Sequence, residues 1–154
     1  MNCKKEAGFT LLELIVVMAL LGMIAVLAVP QYNCVLDNVR LKADAKKMAR
    51  VLQIARQEAI TTGQGKTVYF YPQTTKYTVR DGDTYWFNSG IAYNGSTTFS
   101  EHEDKPACVF SPSGVPSSAG TVTLNNRQGK RLYVIVSVAA GRIRVSESPP
   151  ESWE

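Results

Sequence analysis

A nearly uninterrupted apolar stretch close to the N-terminus constrains this chain more than any other feature. It runs from Phe9 to Val29, and Glu13 is its only charged residue. A helix needs about 20 apolar residues to cross a bilayer, so we expect 9–29 to form a transmembrane helix. A carboxylate inside such a span costs about 2.5–3.5 kcal/mol on insertion scales and indicates a functional role.

The polar leader before this stretch, residues 1–8, differs from a secretory signal peptide. In a signal peptide the small residues of the cleavage site follow the apolar region, whereas here Gly8 precedes it and no such site follows. Lys4 and Lys5 lie on the short N-terminal side. This charge pattern predicts that the N-terminus stays in the cytoplasm and that the C-terminal part lies outside.

The residues after the apolar stretch have the composition of one folded domain. Of the 154 residues, 45% are hydrophobic and 19% are charged, which argues against disorder. The net charge of +4 is too small to identify a class of partner. Cys34 and Cys108 would pair only outside the cytoplasm. A disulfide and two separate thiols both remain compatible with the sequence.

Residues 30–62 read as an amphipathic continuation of the helix. Pro30 should bend or loosen it, and Gly63 is expected to end it. Val51 and Ile54 are expected to widen its apolar face. The expected core positions recur at spacings of three and four residues: Leu41, Ala45, Met48, Leu52, Ala55 and Ala59. The basic residues are expected to form a solvated flank: Arg40, Lys46, Lys47, Arg50 and Arg56.

Residues 63–146 read as a β-rich globular head, and 147–154 as an acidic tail. Glycine, proline and asparagine separate short segments of alternating polarity. The alternation places Arg142 and Arg144 on one face of the last strand and Ile143 and Val145 on the other. The predicted strands are 67–71, 76–80, 84–87, 97–100, 107–111, 121–124, 130–138 and 142–145.

Enzymatic chemistry has little support in this sequence. It contains no glycine-rich phosphate loop, no nucleophile elbow and one histidine, His102. Glu101, Glu103 and Asp104 adjoin that histidine, but consecutive loop residues rarely converge on one ion. We therefore predict a solvated loop at 101–106, no metal, no cofactor and no catalytic site.

The N-terminal motif resembles that of type IV pilins and type II secretion pseudopilins. The resemblance rests on the order from Lys4 to Gly8, followed by Phe9-Thr10-Leu11-Leu12-Glu13-Leu14. It implies that a prepilin peptidase cleaves between Gly8 and Phe9 and that the new Phe9 amine is methylated. It also implies that Glu13 sets the register of the subunit in a filament. The chain would be a single-pass protein of the cytoplasmic membrane before it enters a pilus or pseudopilus.

The remaining sequence resembles the GspH/FimT family of minor pseudopilins and minor pilins. The similarity lies in Ala43 to Gly63, in Ser111-Pro112-x-Gly114, and in Arg131 to Val136. It implies an α+β pilin-like fold, with a long N-terminal helix packed on two small antiparallel sheets. It also implies a structural role in starting or capping a filament together with other major and minor subunits. Secretion and pilus systems both remain open.

One motif supports an alternative function in DNA uptake. Gly141-Arg142-Ile143-Arg144 is similar to an element through which some family members bind DNA. Lys130 and Arg131, on the expected neighbouring strand, would add phosphate contacts. The sequence departs from that pattern at Val145-Ser146-Glu147, where a Cys-Pro element is expected and where Glu147 would repel phosphate.

Overall fold

A computed structural model of the chain describes residues 9–139 and 141–150, without the side chains of 27–31. The predicted leader and residues 151–154 of the predicted acidic tail therefore lie outside the described residues. The chain divides into two compact units, Met1–Leu36 and Asp37–Glu154. One helix, α1, spans Leu11–Thr62 and supplies residues to both units.

The described residues of the first unit are Phe9, Thr10 and the start of α1. Its described side chains from Phe9 to Val26 are all exposed. Within the described residues, no helix is long and apolar enough to cross a membrane. The predicted span 9–29 includes three side chains outside the described set, and the bend predicted at Pro30 stays a prediction.

The second unit is built on the last part of α1. The predicted apolar stripe, from Leu41 to Ala59, is buried at all six positions. Val51 is buried as expected, but the prediction for Ile54 was wrong, because half of its surface is exposed. The helix stops where predicted, since Gly63 follows Thr62 with a φ of 65°, a conformation that glycine adopts without strain.

The described residues after the helix form nine strands. Predicted strands 67–71, 76–80, 84–87, 107–111, 121–124, 130–138 and 142–145 are present with boundaries shifted by one or two residues. The strands are β1 Lys66–Tyr71, β2 Lys76–Val79, β3 Thr84–Trp86, β4 Ala92–Tyr93, β5 Glu101–His102, β6 Lys105–Phe110, β7 Gly120–Asn125, β8 Arg131–Ser137 and β9 Arg142–Ser146.

These strands form two antiparallel sheets. The five-stranded sheet has the order β3-β2-β1-β6-β5, and the four-stranded sheet has the order β4-β7-β8-β9. All the pairings of neighbouring strands within these sheets are antiparallel. The prediction of a helix followed by two small antiparallel sheets is confirmed.

Two predictions for the middle of the head were wrong. Residues 97–100 form no strand, because the hydrogen bonds between Thr98 and β7 do not follow the regular ladder of a sheet. Its N–H donates to the Thr121 carbonyl, and its hydroxyl accepts the Thr121 N–H. The polar loop predicted at 101–106 is a hairpin between β5 and β6. Glu103 and Asp104 form its turn with φ values of 53° and 59°.

One core lies between the helix stripe and the inner faces of both sheets. Phe70 of β1 stacks on Phe99, with ring centroids 5.0 Å apart. Cys108 of β6 is buried and carries a free thiol. Burial raises the pKa of Cys108 to about 12.

Candidate functional site

The last hairpin places the predicted arginines on the surface. β9 pairs with β8 so that Arg144 lies opposite Ile135 and Arg142 opposite Ser137. Both arginines are exposed, whereas Ile143 and Val145 pack against the core. The alternation predicted for this strand is confirmed. The arginine side chains are available for an interaction and are not needed for packing.

The structure separates the four residues predicted to contact DNA. Arg131 begins β8, and Arg144 pairs four positions further along that strand, at Ile135. Four strand residues span about 13 Å. Lys130 lies beside an acidic group, with its Nζ 3.9 Å from Oε1 of Glu147. These residues therefore form no single cluster.

β9 instead runs alongside the helix in the opposite direction. At one end, Oε1 of Glu147 lies 3.6 Å from Nζ of Lys42. At the other end, a Cβ atom on Gly141 would lie 2.7 Å from Nε of Arg56. The helix advances about 21 Å between residues 42 and 56. The strand covers about 20 Å between residues 141 and 147, so the two elements stay adjacent along this length.

A basic groove of about 570 Å³ lies between this helix segment and β9. Its cationic side chains are Lys46, Lys47 and Arg50 of the helix and Arg144 of the strand. The lining residues include no carboxylate. The other residues that line it are Ala43, Ala49, Gln53, Ile143 and Val145. The sequence predicted the helix cations as a solvated flank and missed that Arg144 joins them.

None of the four cations of the basic groove forms a salt bridge among residues 9–139 and 141–150. The ion pairs described there involve other side chains. Lys47 makes a different contact, with its Nζ 5.3 Å from the ring centre of Tyr85. Unpaired like charges on one surface attract an anionic group, so the groove is suited to a negatively charged ligand.

The backbone of β9 adds a second chemical feature to the groove. β9 is an edge strand of its sheet. It pairs with β8 on one side only. The described backbone hydrogen bonds show no partner on the other side of Arg142–Ser146. An open strand edge presents N–H and C=O groups that can pair with another extended chain.

A buried carboxylate that sequence reasoning missed fixes the helix beside the groove. Asp44 is only 2% exposed. It accepts hydrogen bonds from the backbone N–H and the side-chain Nδ2 of Asn88, at 2.8 and 2.7 Å. Burial raises the pKa of Asp44, while the bonds from Asn88 and the charge of Lys47 act in the opposite direction. This contact ties the loop after β3 to the helix.

The acidic turn of the β5–β6 hairpin is held by neighbouring side chains. Glu103 accepts a hydrogen bond from the Tyr69 hydroxyl at 2.7 Å and pairs with Arg80 at 2.9 Å. The Tyr69 bond, followed by the charge of Arg80, lowers the pKa of Glu103. In the part of the chain that the structure describes, no group of metal-binding side chains comes together.

The predicted processing and assembly residues lie at the start of α1. Gly8 is outside the described residues, and Phe9 is 80% exposed. The backbone N–H of Glu13 donates to the Thr10 hydroxyl at 3.2 Å, so Thr10 caps the helix. Threonine followed three residues later by glutamate is a helix-start signal that sequence reasoning missed.

Comparison with known proteins identifies the family. Residues 44–141 match the family described as "Type II transport protein GspH". The chain belongs to the GspH family. Its residues 3–29 also match the "Prokaryotic N-terminal methylation motif". The GspH match includes the buried helix stripe from Ala45 to Ala59 and ends at Gly141, where the last hairpin turns.

Individual relatives agree with this assignment. The GspH-family chain is 27% identical over 139 residues to "Type II secretion system protein H" of Xanthomonas campestris pv. campestris, covering 89% of this chain and 81% of the relative. It is 30% identical over 76 residues to a "Fimbrial protein" of Pseudomonas aeruginosa, which is 49% of either chain.

Solved structures share the fold at low sequence identity. The minor pseudopilin EpsH from the type 2 secretion system of Vibrio cholerae superposes with a TM-score of 0.57 at 16% identity, over 70% of this chain and 96% of EpsH. The type IV minor pilin FimU of Pseudomonas aeruginosa gives a TM-score of 0.56 at 13% identity, over 71% and 90% of the two chains. The fold is therefore pilin-like.

Proposed function

We propose that this GspH-family chain is a minor pseudopilin, a structural subunit that helps start or cap the filament of a type II secretion system. The observation that carries the proposal is the match to the GspH family over 44–141 in a chain that also has the methylation motif at 3–29. A corresponding role in a type IV pilus is the nearest variant. The subunit acts by assembly and not by catalysis.

The N-terminal residues give the proposal its mechanism. A prepilin peptidase removes residues 1–8, and the new Phe9 amine is methylated. Residues 9–29 hold the chain in the cytoplasmic membrane, with the head outside, until the helix enters the filament. Residues 30–62 and 63–146 then act as the amphipathic helix and the head. The partners are the peptidase and other major and minor pseudopilins.

Glu13 is the residue that we assign to subunit register. In hydrocarbon a carboxylate needs a cationic partner or becomes protonated. The Phe9 amine lies four positions earlier in the same chain, and a neighbouring subunit would offer an equivalent amine. A buried charge that is satisfied in only one register would specify that register.

The test is incorporation into the filament in the native host. Glu13→Val should be processed normally but should be absent from sheared filaments. An apolar side chain cannot pair with the amine of a neighbouring subunit, so it cannot specify the register. Glu13→Asp is the matched control and should retain part of the incorporation. Equal incorporation of all three chains would refute the role of Glu13, and absence of the parent chain from any filament would refute the proposed function.

DNA binding is a second candidate, favoured by the position of Arg144 among three helix cations. Phosphate contacts made by such a cluster would weaken steeply as salt rises. If this function holds, the full-length chain in detergent binds duplex DNA at low salt, and the Arg142→Ala, Arg144→Ala double variant does not. Absence of binding at low salt would remove this candidate.

A further inference from the structure

We propose that the basic groove binds an extended acidic segment of a neighbouring subunit, which adds as a strand to the open edge of β9. This inference rests on the proposed function, because it names the kind of partner that the head meets in the filament. Its support comes from three properties of the groove: its charge, the spacing of its cations and the free backbone of β9.

The charge of the groove selects an acidic occupant. Lys46, Lys47, Arg50 and Arg144 line it, and no salt bridge between described residues involves them. The same flank of the helix already binds a carboxylate at one end, where Glu147 lies 3.6 Å from Lys42. A smaller cavity of about 230 Å³ surrounds that contact and shares Lys46 and Val145 with the groove. A bound carboxylate in the groove would therefore make the same kind of ion pair that Lys42 makes with Glu147.

The spacing of the helix cations matches that of an extended peptide. Lys46 and Arg50 are separated by four helical residues, or about 6 Å along the axis. Alternate residues of a strand are separated by about 6.6 Å and point to the same side. Acidic residues at alternate positions would therefore meet Lys46 and Arg50 in turn. The helix residues that line the groove, from Ala43 to Gln53, cover about 15 Å, or four to five strand residues.

The open edge of β9 favours a peptide over a nucleic acid. A peptide strand would pair with the N–H and C=O groups on the free side of Ile143–Val145, and phosphate has no equivalent donor and acceptor pattern. Glu147 follows β9 directly, but two cations, Lys42 and Lys130, lie 3.6 and 3.9 Å from its single carboxylate and outweigh its charge. The preference for a peptide therefore rests on the free edge of β9.

The first test measures binding of a defined peptide to the full-length chain in detergent micelles. The probe is a fluorescent, acetylated peptide of three Glu-Val repeats. Saturable binding that weakens at least tenfold in the Lys46→Glu, Arg50→Glu double variant would support the proposal. The Lys76→Glu, Lys105→Glu double variant, on the other sheet, makes the same change in net charge, so it is the matched control and should bind as the parent does. Equal binding by all three chains would overturn it.

The second test asks whether the peptide adds as a strand. Amide hydrogen exchange of β9 should slow when the peptide binds, because its free N–H groups become bonded. A peptide methylated on alternate backbone nitrogens should bind at least tenfold more weakly. Unchanged exchange in β9, or equal binding of the methylated peptide, would overturn strand addition. Tighter binding of an oligothymidylate at the same residues would assign the groove to nucleic acid instead.

The experiments distinguish failure of the groove assignment from failure of the proposed pseudopilin function. Peptide binding is measured on the isolated chain and does not require a filament. A chain that binds the peptide through the groove but never enters a filament would refute the proposed function and support the groove assignment. A chain that enters the filament but does not bind the peptide would refute the groove assignment alone.

Discussion

The Nε group of Arg56 donates a hydrogen bond to the carbonyl oxygen of Gly114 at 2.9 Å. The same guanidinium lies against Gly141, where a Cβ atom would come within 2.7 Å of it and 2.8 Å of the Gly114 carbonyl oxygen. One helix residue thus brings together two turns that are far apart in sequence. This contact explains why residue 141 is a glycine. It does not involve Arg142 or Arg144.

Gly141→Ala should destabilise the head by about 1–3 kcal/mol, since it adds a side chain at a φ of 57° and against backbone. Gly95→Ala is the matched control, because Gly95 also has a positive φ but open space around it. Denaturant unfolding of the full-length chain in detergent measures both. A loss in Gly141→Ala no larger than that in Gly95→Ala would contradict the packing argument.

Asp44 predicts a specific dependence of stability on pH. Its pKa is raised in the folded state, so the folded chain binds this proton more tightly than the unfolded chain does. Stability from this group therefore rises as the pH falls through the raised pKa, until it levels off near the unfolded value of about 4.

Comparison with Asp44→Asn isolates this effect. Unfolding free energies of both chains are measured at neutral pH and near the ordinary carboxyl pKa. The difference should move in favour of the parent as the pH falls, because only the parent has the titrating group. A difference that stays constant, or moves in the other direction, would show that the folded-state pKa of Asp44 is not raised.

Thr10→Val should weaken the start of the helix by about 1 kcal/mol, because it removes the hydroxyl that accepts the Glu13 N–H. Thr10→Ser keeps that hydroxyl and serves as the control. Amide exchange at Glu13 should accelerate in Thr10→Val but not in Thr10→Ser. Similar exchange in both variants would show that the hydroxyl does not cap the helix.

Cys108 should resist alkylation while the head is folded, since it is buried and its pKa is raised to about 12. The reaction is followed in the Cys3→Ser, Cys34→Ser variant, where Cys108 is the remaining thiol. Labelling should become rapid when denaturant unfolds the chain. Rapid labelling before unfolding would show that β6 is less protected than its burial indicates.

The sequence predicted the helix stripe well because its periodicity is local. Leu41, Met48 and Leu52 repeat at helical spacing, and all three are buried. Ile54 was misplaced because an apolar residue beside the stripe can also face solvent, and only the position of the sheets decides this. The strand β5 was missed since Glu101 and His102 are polar and lie on a sheet edge, where no apolar alternation is required.

The basic groove could not be predicted from local patterns. Lys46 and Arg144 are far apart in the chain, and their proximity depends on the direction in which β9 passes the helix. Sequence reasoning identified both sets of cations but paired Arg144 with Arg131, on the neighbouring strand. The register that places Arg144 opposite Ile135 is fixed by the length of the turn after β8, which composition does not reveal.

The path of β9 beside α1 bears on how the head acquires its structure. The helix segment near Lys42 is the first part of the second unit to be made, and Glu147, which it contacts, is among the last. Contacts of such long sequence separation form late and slow folding. We therefore expect the last contacts of the head to form only after Glu147 has been synthesised, so that the fold of the second unit is completed late.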